Sequence, residues 1–177
     1  MVEGALCPCR TPRFLCDEML RGVGQWLRVA GYDTRLPEAG WPDEYLLEEA
    51  QREDRWLVTA DRDLLAFAAA PFNVIYLAGE DQTSRLRDLT RLLDLDWCHH
   101  PFSRCKACNT RLVRATEADR ARLCPPDHQL NGDVLLCPRC QQLFWEGSHV
   151  RRMRQQLEHM NHWRRGDAGV SQPPSDR

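Results

Sequence analysis

Two Cys-x-x-Cys pairs, Cys105-Lys-Ala-Cys108 and Cys137-Pro-Arg-Cys140, stand in the C-terminal half of the chain with 28 residues between them. Each such turn brings two thiols to one side of a tight loop, and two turns supply the corners of a tetrahedral zinc site. The intervening segment has room for two or three short strands, the layout of a zinc ribbon. Four sulfur ligands leave no open coordination position, so the zinc expected here is structural and not catalytic. The chain has nine cysteines. Their odd number and paired spacing favour metal binding in a reducing compartment over a secreted disulfide scaffold. Cys7, Cys9, Cys16, Cys98 and Cys124 lack a second such pair and are assigned no site.

Upstream of the cysteine pairs the pattern is different. After a leader over Met1–Pro12, Arg13-Phe-Leu-Cys16 reads as a short buried strand. Met19, Leu20, Val23, Trp26, Leu27 and Ala30 then recur at helical spacing, with Gly31 as the stop signal. A strand at 32–36 follows, then a helix opened by Pro42, where a missing N–H costs nothing. Next come a strand at 55–59, a helix at 64–70, a strand at 74–77 and an amphipathic helix at 82–93. Strand and helix alternate about four times, which predicts an α/β fold with a parallel sheet and helices on both sides. The pattern changes at Cys98-His-His-Pro101, and a charged helix runs from about Ser148 to Arg164. The domains expected are therefore 13–97 for the α/β unit and 98–165 for the zinc ribbon with its helix. Residues 166–177, rich in Gly, Ser, Pro and Asp, are expected to be a disordered tail.

The charge is divided in the same way. Residues 1–100 hold 11 Arg against 18 Asp and Glu, a net −7, and residues 101–177 hold 13 Lys and Arg against 8 acids, a net +5. An acidic half joined to a basic half suits acid-based chemistry in one and anion contact in the other. No apolar run reaches the length needed to span a bilayer, and the N-terminus lacks the apolar stretch of a signal peptide. A soluble, cytoplasmic protein is the expectation.

Three acids mark the ends of predicted strands: Asp17 after the first, and Asp61 with Asp63 after the strand at 55–59. Ligands of an open parallel sheet gather outside the carboxyl ends of its strands, so Asp17 and Asp61 share one crevice if their strands are neighbours. Asp43 or Glu44, at the head of the second helix, reaches the same place. Clustered carboxylates repel one another unless a cation lies between them, and an all-oxygen ligand set suits Mg²⁺ or Mn²⁺. Such ions activate water and stabilise the charge that builds on a phosphodiester during cleavage. The same acids also stand where helix N-caps belong, and spacing alone favours the capping reading.

Several of these segments resemble one family. Phe14-Leu-Cys-Asp17-Glu-Met-Leu-Arg21, Trp26-Leu-Arg28-Val-Ala-Gly31-Tyr-Asp33-Thr34 and Leu57-Val-Thr59-Ala-Asp61-Arg-Asp63-Leu64 are similar to the Mut-seven C-terminal RNase family, a branch of the PIN-domain nucleases. So are Arg104-Cys105-x-x-Cys108-Asn109 and Cys137-x-x-Cys140 followed by Phe144-Trp-Glu-Gly-Ser-His149. The likeness runs in order from about Arg13 to Met153. It implies a PIN-like α/β/α sandwich with an appended zinc ribbon, and metal-dependent cleavage of RNA. By motif position Asp17, Asp61 and Asp63 correspond to metal-binding acids, Asp43 to the acid at the head of the second helix, and Arg21 and Arg28 to basic positions that meet phosphate. Ala60 departs from the pattern, since the family often has Arg before the aspartate.

The reading that unites these features is a divalent-metal-dependent ribonuclease with catalytic Asp17, Asp43, Asp61 and Asp63. Mg²⁺ or Mn²⁺ serves the acids, and structural Zn²⁺ sits on Cys105, Cys108, Cys137 and Cys140. RNA is the partner, held by Arg21, Arg28 and the cluster Arg151, Arg152 and Arg154. Two other readings stand beside it: a non-catalytic RNA-binding or adaptor protein, and the toxin of a toxin–antitoxin pair.

Overall fold

Short apolar runs separated by amphipathic stretches are the sequence form of a sheet buried on both faces. The fold was obtained as a computed structural model, which describes residues 11–37, 40–67, 74–125, 130 and 132–164. β1 (Phe14–Cys16) passes through a 3-10 turn (Glu18–Leu20) into α1 (Arg21–Val29) and β2 (Thr34–Arg35). There follow α2 (Asp43–Arg52), β3 (Trp56–Thr59), α3 (Asp63–Phe67), β4 (Val74–Tyr76) and α4 (Gln82–Leu93). These four strands pair in parallel in the order β2-β1-β3-β4.

Successive strand residues face opposite sides, and here each side has its own core. Phe14, Cys16, Val58 and Ile75 pack with Leu20, Val23, Leu27, Leu86 and Leu89, beneath α1 and α4. Leu15 and Leu57 pack with Leu46 and Ala50 of α2 and Leu64 of α3. Gly24 lets α1 lie close against β1, because a Cβ there would run into the side chains of Leu36 and Cys16. The α/β/α architecture expected from the sequence is present, with its helices on both sides of a parallel sheet.

The cysteine-bearing segment forms a second, antiparallel sheet of three strands, β5 (Val113–Arg114), β6 (Val134–Leu136) and β7 (Leu143–Trp145), in that order. Its core is small: Ala115, Val134 and Leu136. The segment between the cysteine pairs departs from the expectation of strands alone, because α5 (Glu117–Leu123) lies between β5 and β6. Its cause is a capping box, in which the Thr116 hydroxyl accepts from the Asp119 N–H at 3.1 Å and Asp119 accepts from the Thr116 N–H at 3.0 Å.

The last helix, α6 (Ser148–Asn161), returns to the first sheet. Leu157 and Met160 are fully buried in the core beneath α1 and α4, and Asn161 Oδ1 accepts the Trp97 N–H at 3.1 Å. The core beneath α1 and α4 therefore takes residues from both sides of position 97. The expected tail at 166–177 and the Cys7-Pro-Cys9 segment lie outside the described residues. Among the described residues no helix is long and apolar enough to cross a membrane.

Candidate active site and metal centre

The chain leaves β1 for β2 on one side and then crosses to β3 on the other, so the strand order reverses between β1 and β3. Side chains just beyond the carboxyl ends of these two strands share the crevice at that switch point. Asp17 follows β1, and Asp61 and Asp63 follow β3. Thr59, fully buried at the end of β3, ties them together. Its hydroxyl donates to Asp17 Oδ2 at 2.9 Å and accepts the Asp61 N–H at 2.9 Å. Asp17 is pinned from behind as well, its N–H donating to the Val58 carbonyl at 2.9 Å.

The capping alternative divides between the two acids. Asp61 Oδ1 accepts the Asp63 N–H at 2.8 Å at the start of α3, so this carboxylate does serve a helix N-terminus. Asp17 occupies the N-cap position of the 3-10 turn but makes no side-chain bond there; its carboxylate is held by Thr59 instead. Asp43 is the first residue of α2, half-buried, and Pro42 before it offers no side-chain cap. Desolvation by its surroundings pushes the Asp43 carboxyl up, and the charges of Asp61, Asp17 and Asp63 add to the shift. One carboxylate thus registers the field of the other three. Glu44 beside it is exposed.

The two cysteine pairs also meet. Cys108 Sγ lies 3.4 Å from Cys137 Sγ, and Cys105 Sγ lies 4.0 Å from Cys140 Sγ. A zinc ion with Zn–S bonds of about 2.3 Å needs a sulfur tetrahedron of edge roughly 3.8 Å, and the observed separations bracket that value. The two turns repeat one geometry. In each, the residue after the second cysteine donates its N–H to the carbonyl of the first at 2.9 Å, Asn109 to Cys105 and Gln141 to Cys137. Both take left-handed backbone angles, with φ of 67° and 56°. The Cys140 N–H points at Cys137 Sγ at 3.3 Å. Burial pushes the Cys108 thiol up, but hydrogen bonds from Thr110 and the neighbouring thiols outweigh it and leave it lowered to about 6.

Among the described residues, these four thiols are the one set of three or more metal-ligating side chains whose donor atoms all lie within 4.8 Å of one another. They fit a metal such as zinc. The carboxylates at the sheet end are spaced more widely.

Comparison with known families adds to this geometry. The model of the Mut7-C RNAse domain matches residues 12–157, which include both sheets, the acids and all four thiols. The chain belongs to the Mut7-C RNAse domain family. No curated protein and no solved structure matches it. Membership in a family of RNases makes RNA the substrate class that the comparison suggests.

Within this Mut7-C domain the basic residues divide by burial. Arg21 is exposed at the start of α1 and donates to the Pro37 carbonyl at 3.3 Å. Arg28 does not meet the expectation of a phosphate contact, because it is only 4% exposed. Its Nε donates to the Thr34 carbonyl at 2.8 Å, and one terminal nitrogen donates to the carbonyls of Lys106 and Ala107 at 3.0 and 2.7 Å. Arg28 therefore braces the first cysteine turn against α1 and β2. Arg151 and Arg152 are exposed on α6. Arg154 is half-exposed, pairs with Glu146 at 3.1 Å and lies 5.0 Å over the Phe102 ring.

Two further residues, Thr59 and Asp33, lie within the family-like motifs of the sequence and are assigned no site role there. Thr59 orients Asp17 and Asp61, a role that its place in the motif Leu57-Val-Thr59-Ala-Asp61 does not reveal. Asp33 accepts from Arg55 and Asn109, both at 2.8 Å. Partial burial raises its carboxyl, but these bonds and the charges of Arg55 and Arg104 dominate and hold it near 2, well below the usual carboxylate range.

Proposed function

We propose that this chain is a divalent-metal-dependent ribonuclease that hydrolyses RNA phosphodiester bonds, with a structural zinc in the ribbon. The observation that carries the reading is the way Thr59 ties Asp17, after β1, to Asp61, after β3, with the charges of Asp61, Asp17 and Asp63 also acting on Asp43. The cap at Asp61 and the Thr59 bond to Asp17 hold individual carboxylates, but neither neutralises the negative charge that the four acids gather. A divalent cation does offset it.

When bound, Mg²⁺ or Mn²⁺ supplies an activated water and positive charge opposite the phosphodiester oxygens. The chain's own part is positional. Thr59 fixes the Asp17 carboxylate, and the start of α3 fixes Asp61, so both present their charge to the crevice without rotamer freedom. Asp43 adds a carboxylate from the first turn of α2, and Asp63, at the start of α3, is exposed. Arg21, at the head of α1, is suited to meet a phosphate entering this crevice. Arg151, Arg152 and Arg154 supply backbone contact from α6, which gives affinity and little sequence choice. A cytoplasmic, reducing setting suits the four thiols.

The test is degradation of labelled RNA by the purified, zinc-loaded chain with and without Mg²⁺ or Mn²⁺. Cleavage that appears with the ion and stops on its removal supports the reading. RNA binding with no cleavage under either condition rejects it in favour of a binding protein.

A further inference from the structure

A groove of about 580 Å³ opens on the outer face of the ribbon sheet, between β5–β7, α6 and the turn at 101–102. Strand register places Arg114 opposite Leu135, and Leu135 opposite Phe144. These three side chains therefore form one row across the sheet, on the face away from the core of Ala115, Val134 and Leu136. Val150 and Arg154, one helical turn apart on α6, form a side wall, and Phe102 closes one end.

Phe102 holds a φ of +59°, a region that bulky side chains rarely adopt. Its N–H donates to the Val29 carbonyl at 2.7 Å, which keeps it there. Backbone strain of this kind persists where the surroundings impose it, and it concentrates at binding sites. Here it delivers an aromatic ring to the groove, with the Arg154 guanidinium already stacked 5.0 Å above it. At the rim Arg114 pairs with Asp133 and Arg154 with Glu146, and all four side chains are exposed. Such surface pairs contribute little, so either arginine exchanges a carboxylate for a phosphate at small cost.

We propose that this groove takes an unpaired base of single-stranded RNA, stacked against Phe144 beside the Arg154–Phe102 pair, with the flanking phosphates met by Arg114 and Arg154. The inference rests on the ribonuclease reading for the identity of the nucleic acid. Aromatic walls with arginines at the rim are the general solution for holding single strands, because every base has a π face. A duplex keeps its bases stacked on each other and offers only its backbone and grooves.

The experiment uses the full chain carrying Asp61→Asn, so that RNA survives, with single-stranded oligouridine and an RNA duplex of the same length as probes. Binding is read by fluorescence anisotropy without added divalent ion. Phe144→Leu keeps apolar bulk on the sheet and removes the π face. It is expected to weaken single-strand binding roughly 5- to 100-fold while zinc content and duplex binding stay unchanged. Phe144→Trp is expected to retain single-strand binding. Unchanged oligouridine affinity in a folded, zinc-loaded Phe144→Leu chain overturns the groove assignment, and so does an equal loss on both probes. The two readings fail separately. Divalent-dependent cleavage by the unsubstituted chain stands whatever Phe144 does. A Phe144-sensitive single-strand affinity without such cleavage keeps the groove and removes the nuclease.

Discussion

Asn109, the residue after the second cysteine of the first turn, accepts the Thr34 N–H on its Oδ1 at 3.1 Å. Its Nδ2 donates to Asp33 Oδ1 at 2.8 Å. One side chain thus continues the edge of the parallel sheet into the cysteine turn, at the left-handed position where Asn is among the few favourable residues. Arg28 makes the same connection from α1. The metal centre and the strand next to β1 are therefore one mechanical unit, so metal loss is expected to reach the acids' lobe.

Cys137→Ser tests that coupling. Purified protein is expected to carry about one zinc per chain, and the variant to lose it. Binding free energy of a structural metal is folding free energy, so the effect extends beyond the ribbon. Hydrogen exchange at the Thr34 amide is expected to rise together with that of residues 105–110. Full zinc retention would show the ligands to be wrong. Zinc loss with unchanged protection at Thr34 would show the two lobes to be independent.

Arg28→Lys separates a brace from a phosphate contact. Lysine keeps the charge but cannot present the guanidinium fork, and it leaves the buried Thr34 carbonyl and the partly buried carbonyls of Lys106 and Ala107 short of donors. The expected cost is about 2 kcal/mol, as for hydrogen bonds to a charged group, read as a lower urea midpoint. The salt dependence of RNA binding is expected to stay the same. An unchanged urea midpoint would contradict the brace.

The Asp43 carboxyl gives a direct readout of the crevice. With zinc bound and no other divalent ion, its pKa by carbon-detected NMR is expected to lie above the ordinary aspartate value, because desolvation and then three like charges favour its protonated form. Asp61→Asn removes the first-named of those charges, so the Asp43 pKa is expected to fall in that variant. Added Mg²⁺ is expected to lower it as well, since a cation favours the carboxylate. A titration indifferent to both changes would mean that Asp43 and Asp61 do not share a site.

Much of the fold was legible because its signals are local. The apolar run at Phe14–Cys16 and the spacing of Val23 and Leu27 fix a strand and a helix within a few residues, and Asp17 and Asp61 announce themselves at strand ends. The α5 helix was missed because seven residues carry too little periodicity. Only its Thr116–Asp119 capping box gave a signal, in a segment where zinc-ribbon strands were expected. The destination of α6 was hidden for another reason. Leu157 and Met160 show that the helix has an apolar face, but nothing along the chain says which sheet covers it. Arg28 is hidden in the same manner, since a guanidinium on a helix is surface by default and only the tertiary structure brings the carbonyls of Thr34, Lys106 and Ala107 to it. Thr59 and Asn109 act through side-chain bonds to residues 42 and 75 positions away, beyond any local pattern.

The claim that four acids form a metal-dependent active site is tested most directly by RNA cleavage in Asp61→Asn. Asparagine retains the oxygen that accepts the Asp63 N–H and remains a good cap, so the protein is expected to stay folded and zinc-loaded. It lacks the charge that a divalent ion requires. Mg²⁺- or Mn²⁺-dependent cleavage is expected to fall by roughly two orders of magnitude or more, with RNA affinity in the absence of the ion little changed. Cleavage at the unsubstituted rate by the folded, zinc-loaded variant would contradict the assignment of this crevice as the active site.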